Sequence, residues 1–234
     1  MNLFHRTEKR LVKLLTQIDD RNTMHKHSSS KFSSRFSQQF GKDHGWLAGQ
    51  KMLFEFDSAS SYEMAIKDFV LECEANGEAV IVFTEKSNPI SSAIQTQKNV
   101  KILYMTSKNS APKEVSENAV LVPWGYGSVV FQYLSADLET HINENFNVIC
   151  SNLSSAILTF GLENAYRFVK AEHEMVISPK ITHMNLLNVT AHDSNEVAAI
   201  EGLFNNILIY DKHGLRAIKL AKTKTKHLPS QPTI

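Results

Sequence analysis

Met52-Leu-Phe-Glu-Phe56, then Asp57-Ser-Ala-Ser-Ser-Tyr-Glu63, then Met64-Ala-Ile-Lys-Asp-Phe-Val70: an apolar run, a polar interval, and apolar residues at helical spacing. The first run reads as a strand and the last as an amphipathic helix, because Met64, Ala65, Ile66, Phe69 and Val70 recur on one helical face. Ser60 followed by Glu63 fits a capping box that would satisfy the first free amides of the helix. This is the layout of a phosphate-binding strand, turn and helix. Yet no glycine occurs between Gly49 and Gly77, and the interval contains no lysine. A phosphate cradle needs glycines that let several N–H groups converge, and a lysine for the outer phosphates. Here β-carbons and the acidic Asp57 and Glu63 oppose a triphosphate, so weak nucleotide binding at most, and no hydrolysis, is the expectation.

Working outward, short β-branched runs alternate with longer helical ones, the α/β signature of a parallel sheet covered by helices. Strands are expected at Ala79–Phe83, Lys101–Met105, Val120–Val122, Phe146–Ser151 and Ile181–Leu187. Asn88-Pro89 should cap a helix running to about Lys98, since proline suits the first helical position. Residues 106–118 read as loop, Ser128–Asn145 as helix, and Asn152-Leu153-Ser154 as the entry to one long helix ending near Val176. Asp193 should cap a helix to about Gly202, followed by an edge hairpin around His213-Gly214.

A 42% hydrophobic fraction is ample for one core of this size. Without an apolar run of about 20 residues or the apolar centre of a secretory signal, the expected setting is soluble and cytoplasmic, with no membrane association. Net charge of +1 hides a partition. Residues 1–50 hold nine Lys/Arg against four Asp/Glu, residues 212–234 hold six and none, and the remainder holds ten against twenty. Basic ends on an acidic body suggest contact with nucleic acid, although solvated tails lying over that body explain the same pattern.

The chain divides into an amphipathic N-terminal helix (1–21), a flexible Ser/Gln/His-rich linker (22–45), a compact domain (46–220) and a basic tail (221–234). Cys73 and Cys150 are read as reduced, buried packing residues. Ten histidines are scattered with no His-x-x-x-His or Cys-x-x-Cys pair, so no metal is expected.

The words Phe146-Asn-Val-Ile-Cys-Ser-Asn-Leu-Ser154, Gly161-Leu-Glu-Asn-Ala-Tyr-Arg-Phe-Val169 and Ala191-His-Asp193 leading to Gly202-Leu-Phe204, set in this order of elements, resemble the RecA-like ATPases of the KaiC type. The resemblance is closest to their degenerate, sensor-like archaeal relatives, including a domain proposed to sense signals in methanogens and methylotrophs, and covers roughly 46–220. It implies a RecA-like three-layer sandwich with a mostly parallel central sheet and an edge hairpin near the C-terminus. It also implies a P-loop where this chain has Asp57 to Glu63, and a magnesium-organising Asp where it has Ser151, a hydroxyl that substitutes poorly toward a hard cation. Glu85 matches the acidic residue that polarises the attacking water in active relatives. Without phosphates and metal to position, that carboxylate has nothing to activate.

In open α/β sheets ligands bind beyond the carboxyl ends of the strands. Asp57, Ser58, Ser60, Ser61, Glu85, Ser151, Asn152, Asn188 and His192 are placed there as a speculative ligand-binding ring, with no catalytic residue and no cofactor. The plainer reading of the serines and asparagines is that they cap helices and turns. Ser151 with His192-Asp193 would suggest a hydrolase, but there is no Gly-x-Ser-x-Gly elbow and Asp193 is needed as a cap. Trp124-Gly-Tyr-Gly127 is either a lip over the crevice or a packed edge loop.

Three functions follow: a non-catalytic signalling module binding a small ligand or protein partner, a nucleic-acid-associated regulator using its basic ends, or a residual ATP-binding protein. Self-association through sheet edges is a further expectation.

Overall fold

The computed structural model describes residues 35–108, 111–123, 145–175 and 180–221. The expected N-terminal helix, the linker up to residue 34, the helix expected over Ser128–Asn145 except its last residue, the Trp124–Gly127 segment and the tail beyond Ala221 lie outside them. Nine strands form one sheet: β1 (Lys51–Phe56), β2 (Ala79–Thr84), β3 (Val100–Thr106), β4 (Lys113–Ser116), β5 (Ala119–Pro123), β6 (Phe146–Cys150), β7 (Ile181–Asn188), β8 (Asn206–Asp211) and β9 (Gly214–Lys219). Their order is β4-β5-β3-β2-β6-β7-β1-β8-β9, parallel except for the two edge pairs β4/β5 and β8/β9. Six α-helices are described: α1 (Arg35–Gln38), α2 (Tyr62–Ala75), α3 (Pro89–Ile94), α4 (Leu153–Phe160), α5 (Leu162–Met175) and α6 (Ser194–Glu201).

Strand alternation sorts the core into two faces. Met52, Phe54, Val80, Val82, Ile149, Met184 and Leu186 pack with Ile66, Phe69 and Val70 of α2 and Ile90 and Ile94 of α3. On the opposite face Leu53, Leu187 and Ile207 pack with Leu153 and Ile157 of α4, Ala165 and Val169 of α5, and Ile200 of α6. The central strands are buried on both sides, which is why their sequences are nearly continuous apolar runs. The result is the expected three-layer α/β sandwich with its C-terminal edge hairpin.

Several local expectations change. The long helix after Asn152 is two helices, parted at Gly161, whose φ of 80° and ψ of 158° only glycine adopts readily. The helix after Asn88 ends at Ile94, although Asn88 does cap it by accepting from the Ile90 amide. Residues read as loop contain β4, an exposed strand that makes sense only beside β5. Residues 35–45, assigned to the linker, are packed on the body: Phe36 is fully buried, edge-on to Phe69 at 5.1 Å.

Candidate functional site

β1 leads into α2 on one face of the sheet, whereas its neighbour β7 leads through a 3₁₀ turn (Val189–Ala191) into α6 on the other. β2 and β6 diverge in the same way, into α3 and α4. Chains leaving adjacent strands in opposite directions open a crevice at the carboxyl ends, the position where α/β sheets hold ligands.

At this crevice several of the sequence-chosen groups are bonded to neighbouring residues. Asp57 Oδ1 accepts from the Ala59 amide at 2.8 Å, and Ser60 Oγ donates to Asp57 O at 2.6 Å. Ser60 therefore does not cap α2. Ser61 holds the N-cap position without a side-chain cap bond, so the expected capping box is not formed. Ser58 Oγ lies 3.0 Å from Thr190 Oγ1, which also donates to Asn188 Oδ1 at 2.7 Å. Ser154 Oγ accepts from the Asn188 amide at 2.8 Å. On the neighbouring strands Ser151 Oγ donates to Thr84 Oγ1 at 2.7 Å, beside the half-buried Glu85, and Asn152 is buried at the start of α4. An aromatic pair flanks the turn after β1: Tyr62 is stacked on Phe56, and its hydroxyl reaches Asn88 Oδ1 at 3.4 Å.

His192 does not join Ser151. Its side chain is enclosed, with Nδ1 3.3 Å from Glu196 Oε2, and neither ring nitrogen has a hydrogen-bond partner. Asp193 accepts from the Asn195 and Glu196 amides and Glu196 completes the capping box, the role expected of it. Its carboxylate is thus engaged in the cap, and the hydrolase arrangement is not assembled.

Three polar clusters elsewhere escaped sequence reasoning. At the amino ends of the strands, His44 Nδ1 lies 3.0 Å from Glu72 and Nε2 lies 2.9 Å from Glu78. Hydrogen bonds to Glu72 and then Glu78 push the imidazole up to about 9. Burial opposes it, but bonds from His44 and Ser37 hold Glu72 below the usual carboxylate range, and bonds from His44 and Asn147 do so for Glu78. These groups border a cavity of about 20 Å³, room for one water, where the Trp46 indole N–H lacks a partner.

The second cluster sits between α5 and the sheet. Cys150 Sγ donates to Glu172 Oε1 at 3.4 Å and lies 3.5 Å from His183 Nε2, and Asn185 Nδ2 donates to Glu172 Oε2 at 3.4 Å. All four residues are buried. Burial pushes Glu172 up to about 8, and burial with the charges of His173 and Lys51 takes His183 down to about 3. The third is Glu55, 3% exposed within β1 and pushed up to about 8 by burial, then by its hydrogen bond and charge repulsion with Glu201 of α6. A signal existed for the last two. Glu55 interrupts Met52-Leu-Phe-Glu-Phe56, and His183 and Asn185 alternate within an apolar strand facing Glu172, which continues the Ala165-Val169 stripe.

No family model matches the sequence, and no curated protein does. Among solved structures, the chain resembles Pyrococcus horikoshii OT3 protein PH0250, with a TM-score of 0.57 at 15% identity over 80% of this chain and 93% of that one. It also resembles the KaiC-like protein PH0186 of the same archaeon, with a TM-score of 0.52 at 10% identity over 76% of this chain and 82% of that one. The fold is RecA/KaiC-like, and at these identities the likeness speaks for the fold alone. No helix among the described residues is long and apolar enough to cross a membrane.

Proposed function

We propose that the chain is a RecA/KaiC-like module that acts in signalling or regulation by binding a small ligand or a protein partner, without hydrolysing ATP. The observation that carries this reading is the turn after β1. Its Ser58 and Ser60 hydroxyls and its Asp57 side chain are bonded within the turn and to Thr190, and Tyr62 stacks on Phe56 across its two ends. Polyphosphate binding needs free, convergent N–H donors and cationic charge, and the charged members of the ring are Asp57 and Glu85. A protein partner is supported by Leu158, Phe160 and Tyr166, which stand 68%, 41% and 40% exposed around the α4–α5 break.

Calorimetric titration with ATP and magnesium tests the proposal. Weak or absent binding, without phosphate release, is the expected result. Tight binding with turnover that disappears in Glu85→Gln would overturn it.

A further inference from the structure

Cys150 ends β6, His183 and Asn185 lie on β7, and Glu172 projects from α5 onto the same sheet face. Cys150 and Asn185 are directly paired across the two strands, and His183 lies one pleat away. The three potential ligands are enclosed, with exposures of 3% for Cys150 and 0% for Glu172 and His183. We propose that Cys150, Glu172 and His183 form a structural zinc site, with the Asn185 carboxamide as fourth donor, pinning α5 to β6 and β7.

Spacing is the first argument. The separations are 3.4 Å from Cys150 Sγ to Glu172 Oε1, 3.5 Å from Cys150 Sγ to His183 Nε2, and 3.8 Å from His183 Nε2 to Glu172 Oε2. Tetrahedral zinc with bonds near 2.3 Å to sulfur and about 2.0–2.2 Å to nitrogen and oxygen separates its ligands by about 3.3–3.6 Å, so the two cysteine separations fit and the glutamate carboxylate must turn to bring one oxygen nearer His183. As a hydrogen-bond network the same cluster is loose: the histidine–glutamate separation is too long for a bond, and the 3.4 Å from Asn185 is at the limit. His183 Nδ1 has no partner, so the ring's polar engagement rests on Nε2, the atom that faces the other two.

Charge is the second argument. A thiolate and a carboxylate together balance a divalent cation, leaving the loaded cluster neutral where an apolar interior penalises net charge. Ligand type is the third. One sulfur and one imidazole nitrogen favour zinc over magnesium or calcium, which prefer oxygen. Asn185 points its amide at Glu172, and a half-turn of the carboxamide exchanges its nitrogen for an oxygen donor in the same place.

The full chain, unfolded with chelator and refolded with zinc, should retain about one zinc per chain after dialysis. Refolded with cobalt, it should show tetrahedral visible bands and a thiolate-to-cobalt charge-transfer band. Cys150→Ser should abolish the charge-transfer band and His183→Gln should weaken zinc retention at least tenfold. Cys73→Ser, on the opposite face of the sheet, should change neither. If Cys150→Ser does not fold, the wild-type and Cys73→Ser cobalt spectra decide alone. No retained zinc, a cobalt spectrum without the thiolate band, or a band lost with Cys73→Ser would overturn the site.

Discussion

The Tyr62 ring lies on Phe56 with centroids 3.7 Å apart and planes 18° apart, joining the last residue of β1 to the first of α2. The two residues bracket the five-residue turn that faces the crevice. Tyr62 is 6% exposed, so its ring is part of the core at the end of the turn.

Removing that ring should therefore act mainly on stability. Tyr62→Ala is expected to cost about 3–4 kcal/mol, as for other buried aromatic truncations. Tyr62→Phe loses only the long contact to Asn88 and should cost below about 1 kcal/mol. Urea unfolding of both variants measures the difference; equal losses would mean that the hydroxyl, not the stacked ring, holds the turn.

The His44 clasp should make stability depend on pH at both ends. His44 titrates above its ordinary value, so its contribution is complete below about 6.5 and is lost as pH rises through about 9. Glu72 and Glu78 titrate below theirs, so their contribution is complete above about 4.5 and is lost as pH falls through the lower folded values. The clasp is strongest between these limits. His44→Ala leaves two buried carboxylates without their cation and should cost about 3–5 kcal/mol near pH 6, with a smaller loss at pH 10. A pH-independent loss in denaturant titrations would show that only packing is involved.

Glu55 carries the opposite sign. Its folded form keeps the proton that the unfolded chain gives up, so stability falls as pH rises from about 4.5 through about 8. Glu55→Gln is neutral and can still donate to Glu201. It should be more stable than the parent by about 1–3 kcal/mol at pH 7 and equal to it near pH 4. Thermal unfolding at the two pH values checks this, and a variant no more stable at pH 7 than its parent contradicts it.

Gly161 separates α4 from α5 in a backbone conformation closed to other residues, while nothing lies within 4 Å of where its β-carbon would stand. Gly161→Ala should thus cost about 1–3 kcal/mol from backbone strain alone. Calorimetric melting of the variant reads it, and an unchanged melting temperature would show that the break tolerates a side chain.

Asp193→Ala removes the carboxylate that accepts from two amides at the start of α6 and should cost about 1 kcal/mol, measurable by the same melts. A stability loss of this size is what a capping residue produces.

The alternation of apolar runs and helical stripes was enough to establish most strands of the body and the starts of its helices, the Asn88 and Asp193 caps, and the C-terminal hairpin, because each depends on residues near in sequence. The same local information placed Asp57, Ser58, Ser151 and Asn188 at the strand ends. What those groups bond to was not legible, since Thr190 and Thr84 reach them only through strand pairing. The strand β4, the docking of residues 35–48 and the pairing of His44 with Glu72 and Glu78 likewise depend on contacts between distant segments. Local spacing sets which face of an element is apolar. Tertiary packing alone decides which buried polar groups meet, because a charge in the interior is tolerated only where the fold supplies its partner.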